Sequence, residues 1–307
     1  MKIQKLLISG FAILWLGLPA WSQPENGKVF KTPEAAVASM ASAVEARDDA
    51  RLEIILGSDI LDYLEPDQAL RFETYRMLSL LFKERWALAS MEDGSKIVRL
   101  GLEGWPFPVP LVKADGGGWM YDLDDGVEEL LNRRIGRNEL LTIETFRRVI
   151  EAQNEYVKGD YDGDGSPTYA QKFSSAPGKK DGLYWKVQPG EALSPLEKSL
   201  KDAFKYAHGR AKGAPWLGYH YLYLDRQGPA AKGGAFEYSV DGKQSKGWGL
   251  AAYPASYGHT GVKTFITNQD GKIYEKDLGK DTVRAVFSME GFDPGDGWVE
   301  VSEGETP

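Results

Sequence analysis

The sequence predicts an α+β protein, and two patterns support that prediction. Helical apolar spacing fills most of the first half before alternating strands begin, and short strands with Asp-Gly turns fill much of the second half. The 307 residues are enough for two domains, and 42% hydrophobic with 27% charged residues is typical of a folded soluble protein. We therefore expect an N-terminal α+β domain over residues 23–137, a linking helix over 138–159 and a C-terminal α+β domain over 160–307.

The first half is predicted to begin with helices and to end in a curved antiparallel sheet. Thr32-Pro33-Glu34 has the N-cap, N1 proline and acidic first turn of a helix that continues to about Arg47. A longer helical pattern spans about 66–88, and residues 96–102 alternate like a strand. Strands over 109–113 and 118–123 flank a Gly-rich hairpin turn. This order of elements resembles the NTF2/cystatin-like cone folds, in which a sheet wraps around a helix.

Residues 105–110 read Trp-Pro-Phe-Pro-Val-Pro, so proline alternates with apolar side chains. Because proline cannot donate to a strand ladder, this segment is expected at a sheet edge or as an extended arm. Two interpretations follow: the apolar side chains pack across their own domain, or they form an arm that binds a partner.

The second half is predicted as an antiparallel sheet with flanking helices. The linking helix has one apolar face, formed by Leu140, Ile143, Phe146, Ile150 and Val157. Ser194-Pro195 begins a helix that ends near His208-Gly209. Alternating tyrosines from residue 219 indicate a strand with one aromatic face. The remaining elements form a β-meander and a last helix: strands 236–240, 248–253, 262–268 and 272–277, turns at Asp241-Gly242 and Asp270-Gly271, and helix 281–289.

Residues 1–22 have the pattern of a signal peptide. Lys2 and Lys5 precede an almost wholly apolar run, and Ala20-Trp21-Ser22 offers small residues for cleavage after Ser22. A retained N-terminal anchor is the alternative, but the run is short for a membrane span. We expect a periplasmic or secreted protein with no stable membrane span after cleavage. The absence of cysteine excludes disulfides and fits a bacterial envelope.

The net charge narrows the classes of partner. Removing residues 1–22 takes away two lysines and leaves 35 basic against 45 acidic residues, a net charge of −10. This balance argues against nucleic acid and anionic membrane surfaces as partners. An envelope protein or a polysaccharide remains as the expected class of partner.

Residues 160–171 read D-Y-D-G-D-G-S-P-T-Y-A-Q and begin like an EF-hand calcium loop. Gln171 replaces the bidentate glutamate of the last position, which should weaken binding. The alternative is an Asx-turn loop whose aspartates accept local N–H groups. A structural calcium ion is the one cofactor that the sequence suggests. The candidate ligands are Asp160, Asp162, Asp164, Ser166, Thr168 and Gln171.

The sequence indicates no catalytic machinery. The three histidines have no zinc-hydrolase spacing, and neither G-x-S-x-G nor S-x-x-K occurs. The pairs Lys179-Lys180 and Arg133-Arg134 are interpreted as solvated surface charges. Aromatic side chains of the second half could bind a sugar or peptide, or could pack within the sheet. The candidate ligand-binding residues are Trp216, Tyr219, Tyr221, Trp248, Tyr257 and His259.

Several segments resemble the DUF2950 family of exported bacterial proteins. They are the Trp-Pro-Phe-Pro run at 105–108, N-R-R-I-G-R-N-E at 132–139, G-K-K-D-G-L-Y-W at 178–185 and the Thr-Phe-Ile to Leu-Gly run within 261–279. The resemblance covers nearly all of the chain after residue 22. It implies an envelope location and a two-part architecture, and the family has no assigned activity to transfer.

Two functional hypotheses follow from the sequence. The first is a non-catalytic scaffold or binding protein of the envelope, with calcium as an optional brace. The second is a hydrolase that acts on cell-wall or polysaccharide material in a cleft between the domains. A histidine beside a carboxylate in a polar cleft would favour the hydrolase.

Overall fold

A computed structural model describes residues 27–161, 163, 165–200 and 213–302. The predicted signal peptide and the end of the helix at His208 lie outside these residues. The helices are α1 Pro33–Ala46, α2 Asp49–Leu56, α3 Ile60–Tyr63, α4 Gln68–Glu84, α5 Leu123–Tyr156, α6 Pro195–Leu200 and α7 Thr282–Phe287. The strands are β1 Trp86–Ser90, β2 Lys96–Leu100, β3 Trp105–Pro106, β4 Leu111–Lys113, β5 Trp119–Tyr121, β6 Tyr219–Leu224, β7 Arg226–Gln227, β8 Phe236–Glu237, β9 Gly249–Pro254, β10 Lys263–Asn268, β11 Ile273–Asp277 and β12 Val299–Glu300. The α+β prediction is confirmed.

The first half packs helices against an antiparallel sheet. The sheet order is β1-β2-β4-β5, with β3 paired to β2. Thr32 caps α1 by accepting a hydrogen bond from the Ala35 N–H at 3.2 Å, as its sequence predicts. The prediction for residues 66–88 was wrong at its end, because α4 stops at Glu84. From Trp86 the chain pairs with β2, so strand pairing outweighs the helical spacing there.

The Trp-Pro-Phe-Pro segment packs within its own half. β3 lies at an edge, where it pairs with Arg99 and Leu100 of β2. The next apolar side chains, Phe107 and Val109, are buried in the first core. The apolar side chains of this segment therefore pack in the core of their own domain instead of forming an exposed arm.

Helix α5 is much longer than the predicted linking helix. It begins at Leu123 rather than Asn138, and Asp122 caps it by accepting from the Asp125 N–H at 3.2 Å. Gly126 and Gly136 lower the intrinsic helix propensity of the added turns, which hides them from the sequence pattern. Packing against the first core stabilises these turns, because Leu123 is buried there.

The second half is built on a sheet with the order β12-β11-β10-β9-β6. Strand β6 pairs directly with β9, so the predicted strand at 236–240 does not lie in this sheet. That segment forms only the two-residue strand β8, which pairs with β7. One face of the sheet packs on α5 through Tyr221 and Phe265. The other face packs on α7 through Val286. The predicted aromatic face of β6 is therefore a core face.

Polar contacts join α5 to the second half near the middle of the helix. Buried Asn138 donates through Nδ2 to the carbonyl of Thr260 at 3.0 Å. The Glu139 carboxylate accepts from the backbone N–H groups of Val262 and Lys263, both at 2.9 Å. In the part of the chain that the structure describes, no helix is both long enough and apolar enough to cross a membrane.

Candidate functional site

A cavity of about 240 Å³ lies in the first half, which we call the N-terminal cavity. Its lining is mostly apolar and comes from α1 to α5 and the segment after β3. Representative lining residues are Met40, Leu56, Ile60, Leu78, Phe107 and Leu130. The volume exceeds the roughly 150 Å³ of an apolar cavity that takes one benzene molecule. A small apolar molecule therefore fits.

Close approach of α5 to the segment after β3 shapes one wall of this cavity. A Cβ atom at Gly126 would lie 2.8 Å from Val109 Cγ2 and 2.9 Å from Val109 Cα. Glycine is therefore required for this spacing. The same helix face then places Leu130, Arg133, Arg134 and Arg137 along the cavity, at helical spacing.

Charged groups line one side of the cavity. Arg137 forms an ion pair with the buried carboxylate of Glu65, and its Nη1 donates to Thr74 Oγ1 at 3.1 Å. Arg71 lies 3.6 Å from Asp49, measured from Nη2 to Oδ2. Asp49 also accepts from the Tyr75 hydroxyl at 2.6 Å. Two arginines are thus matched by two carboxylates.

Arg134 also lies on this side, and it is only 7% exposed. Its Nη1 donates to the carbonyl of Leu64 at 3.1 Å. Within the described ranges, no carboxylate oxygen lies within 4.0 Å of its side-chain nitrogens, and its Nε has no hydrogen-bond partner. Burial lowers the pKa of Arg134 below the ordinary arginine value. The negative charge of Glu65 offsets part of this decrease, and the positive charge of Arg137 adds to it. The guanidinium stays charged, since arginine does not lose its proton in proteins.

The prediction that Arg133-Arg134 is a solvated charge pair is wrong. Arg133 lies over the Trp105 ring, 4.3 Å from its centroid, and donates to the carbonyl of Pro106 at 2.8 Å. Arg134 is one position further along the helix and points into the buried side. Adjacent residues face different directions on a helix, so the pair divides between two environments. The helical spacing of Arg134 from Leu130 is the sequence pattern that could have predicted its burial.

The structure does not place the six predicted aromatic and histidine ligand residues on one surface. Tyr219, Tyr221 and Trp248 pack in the second core. Trp216 donates through Nε1 to Thr145 of α5 at 3.4 Å. Burial of the rings against α5 removes the platform that their alternation suggested.

Tyr257 and His259 lie on the loop that precedes β10. The Tyr257 hydroxyl donates to Asp277 at 3.1 Å, and His259 is exposed. His220 packs against the Tyr253 ring, with centroids 5.5 Å apart. Among the residues that are described, neither histidine has a carboxylate oxygen within 4.0 Å of its ring nitrogens. Ligand binding by Tyr257 and His259 stays a prediction.

The predicted calcium loop is described in part. Asp160 accepts from the Gly165 N–H at 3.0 Å, a bond that spans five residues rather than the two of an Asx-turn. Asp162 and Asp164 lie outside the described residues. Ser166 is exposed, and Thr168 is buried. Gln171 donates through Nε2 to the carbonyl of Gly242 at 2.7 Å, so its amide group contacts a neighbouring loop.

A family model described as "Protein of unknown function (DUF2950)" matches residues 27–301. The chain belongs to the DUF2950 family. No curated protein and no solved structure matches it significantly. The DUF2950 match includes every segment that lines the N-terminal cavity.

A second, more open depression in this DUF2950 protein has a volume of about 650 Å³ and lies between the β7–β8 pair and α7. Four of its five charged lining residues contact one another or the backbone, and the fifth, Glu290, is exposed. Arg226 pairs with Glu237 at 3.1 Å, Lys276 donates to the carbonyl of Asp296 at 2.7 Å, and Asp293 accepts from Ala230 N–H at 2.8 Å. We therefore regard the N-terminal cavity as the stronger candidate site.

Calcium binding by the DUF2950 acidic loop can be tested by thermal melting. We expect saturating calcium to raise the melting temperature by a few degrees relative to chelator, because a ligand that binds only the folded state stabilises it. Asp160→Asn should remove that increase. An unchanged melting temperature in the native protein, with no ion retained in mass spectrometry, would refute the metal prediction.

Proposed function

We propose that this protein is an exported, non-catalytic binding protein of the bacterial envelope that holds a small apolar molecule in the N-terminal cavity. The supporting observation is the cavity itself, which is apolar on most sides and walled by α5 and the segment after β3. Pockets of this kind, with a few polar groups on one side, are the usual form of a small-molecule site. Export rests on the signal-peptide pattern of residues 1–22.

The chemistry around the cavity favours binding over catalysis. The Tyr75 hydroxyl donates a hydrogen bond to Asp49. Burial, and after it this hydrogen bond, raise the pKa of Tyr75 above the ordinary tyrosine value. Its hydroxyl therefore stays protonated and is not an activated nucleophile. Among the described residues that line the cavity there is no histidine to serve as a general base.

Binding of 1-octanol, followed by melting and by calorimetry, tests this proposal. We expect saturable binding and an increase of about 5 °C in melting temperature at a hundredfold excess over Kd. Leu78→Trp should abolish binding, because Leu78 lines the cavity and the larger ring fills it. Leu80→Trp is the matched control on the same helix, since Leu80 is 56% exposed and does not line the cavity.

The two variants also separate binding in the cavity from binding elsewhere. Leu130→Trp fills the cavity from α5 and serves as a second blocking variant if Leu78→Trp does not fold. Absence of saturable binding to the native protein would contradict the proposal. Equal binding by the native protein and a folded cavity-filled variant would contradict it as well.

A further inference from the structure

We propose that the ligand of the N-terminal cavity is an amphipathic carboxylate, whose head group is bound by Arg134 and whose apolar body fills the cavity. This inference rests on the proposed function and specifies its ligand class. Three features support it: the charge balance around the cavity, the unpartnered donors of its arginines, and the cavity volume.

The charge balance leaves one positive charge on the polar side. Within the described part of the chain, Glu65 is the carboxylate beside Arg134 and Arg137, and it forms its ion pair with Arg137. Arg133, which also lines the cavity, forms an ion pair with Glu129. Asp49 is taken by Arg71 and by the Tyr75 hydroxyl. Burying an unmatched charge is costly, so a ligand that brings one negative charge would relieve that cost.

The hydrogen-bond donors of three of the cavity arginines point to an oxygen-rich head group. Among the residues described, the Nε atoms of Arg71, Arg134 and Arg137 are buried without a hydrogen-bond partner. Arg134 has five N–H donors and is more than nine-tenths buried, with one carbonyl acceptor at Leu64. The planar guanidinium fork matches the two oxygens of a carboxylate.

The charge of the head group also distinguishes carboxylate from phosphate. A carboxylate carries one negative charge, which equals the surplus at Arg134. A phosphate monoester carries about −1.5 to −2 at pH 7, so it would leave buried negative charge in the site. We therefore expect a carboxylate to bind more tightly than a phosphate on the same apolar body.

The cavity volume sets the size of the apolar body. About 240 Å³ is roughly one and a half times the volume that takes a six-carbon benzene ring, which corresponds to about eight to ten carbons. Octanoate therefore serves as the probe. 1-Octanol and octyl phosphate share its chain and differ at the head group.

Calorimetry with the three probes, on the full protein and two variants, tests the inference. Octanoate should bind about tenfold to a hundredfold more tightly than 1-octanol, as expected for hydrogen bonds to a charged group. Arg134→Met should remove this preference while keeping 1-octanol binding. Arg148→Met is the control, because Arg148 lies on the same helix outside the cavity and pairs with Glu144 and Glu151.

Several results would overturn the inference. Equal affinity for octanoate and 1-octanol would reject the head-group assignment and leave the proposed function intact, whereas no binding of either probe would reject both. Retention of the preference in Arg134→Met, or tighter binding of octyl phosphate, would also reject it. If Arg134→Met does not fold, Arg134→Lys keeps the charge without the fork, and an undiminished preference there would count against the inference.

Discussion

Replacing Phe146 with alanine should destabilise the protein by about 3–5 kcal/mol, which is the range for removing a large buried aromatic side chain. Phe146 is fully buried on α5. Its ring makes edge contacts with Tyr221 and Phe265, whose centroids lie 6.1 and 6.4 Å away. The substitution leaves a void between α5 and the sheet of the second half. Unfolding in denaturant measures the loss.

A surface phenylalanine provides the comparison for that experiment. Phe287 of α7 is 64% exposed, so Phe287→Ala should cost at most about 1 kcal/mol. A loss below about 1 kcal/mol for Phe146→Ala would show that α5 does not pack on the sheet as described.

The two glycines of α5 should respond to alanine with opposite signs. Gly126→Ala should destabilise the protein by about 1–3 kcal/mol, because the new Cβ would overlap Val109, including its Cα, and force a shift of backbone. At Gly136 a Cβ meets no atom within 4 Å, so Gly136→Ala should stabilise the helix by about 0.5–1 kcal/mol. Thermal and denaturant unfolding of both variants give the measurement.

This pair contains its own control, since the same substitution is made in the same helix. A gain in stability from Gly126→Ala would mean that α5 and the segment after β3 lie further apart than described. Because that spacing forms a cavity wall, Gly126→Ala should also weaken 1-octanol binding, whereas Gly136→Ala should leave it unchanged.

Local patterns in the sequence predicted most elements of the fold. The Thr32-Pro33 helix start, the antiparallel pairing of β10 with β11, and the aromatic alternation of β6 all depend on residues close in the chain. The errors arise where tertiary packing outweighs local preference. The first four turns of α5 contain two glycines and are stabilised by the first core, and the predicted strand at 236–240 pairs with β7 instead of the main sheet.

The candidate site was much harder to predict than the fold. The cavity is formed by residues from five helices and the segment after β3, and no spacing rule connects Glu65 with Arg134 or Arg137. The same limit explains the aromatic residues: alternation places Tyr219 and Tyr221 on one face of a strand but does not show that α5 covers it. Burial of an arginine depends on distant contacts, which a single sequence does not display.

Because α5 runs unbroken through both halves, we expect the two halves to unfold together. The helix is about 50 Å long, and its backbone ladder runs from the N-terminal cavity to the centre of the second core. Neither half can unfold completely without breaking that ladder and exposing apolar residues of the other. We therefore expect that a ligand bound at Arg134 would also protect the distant sheet against unfolding, although no ligand atom approaches that sheet.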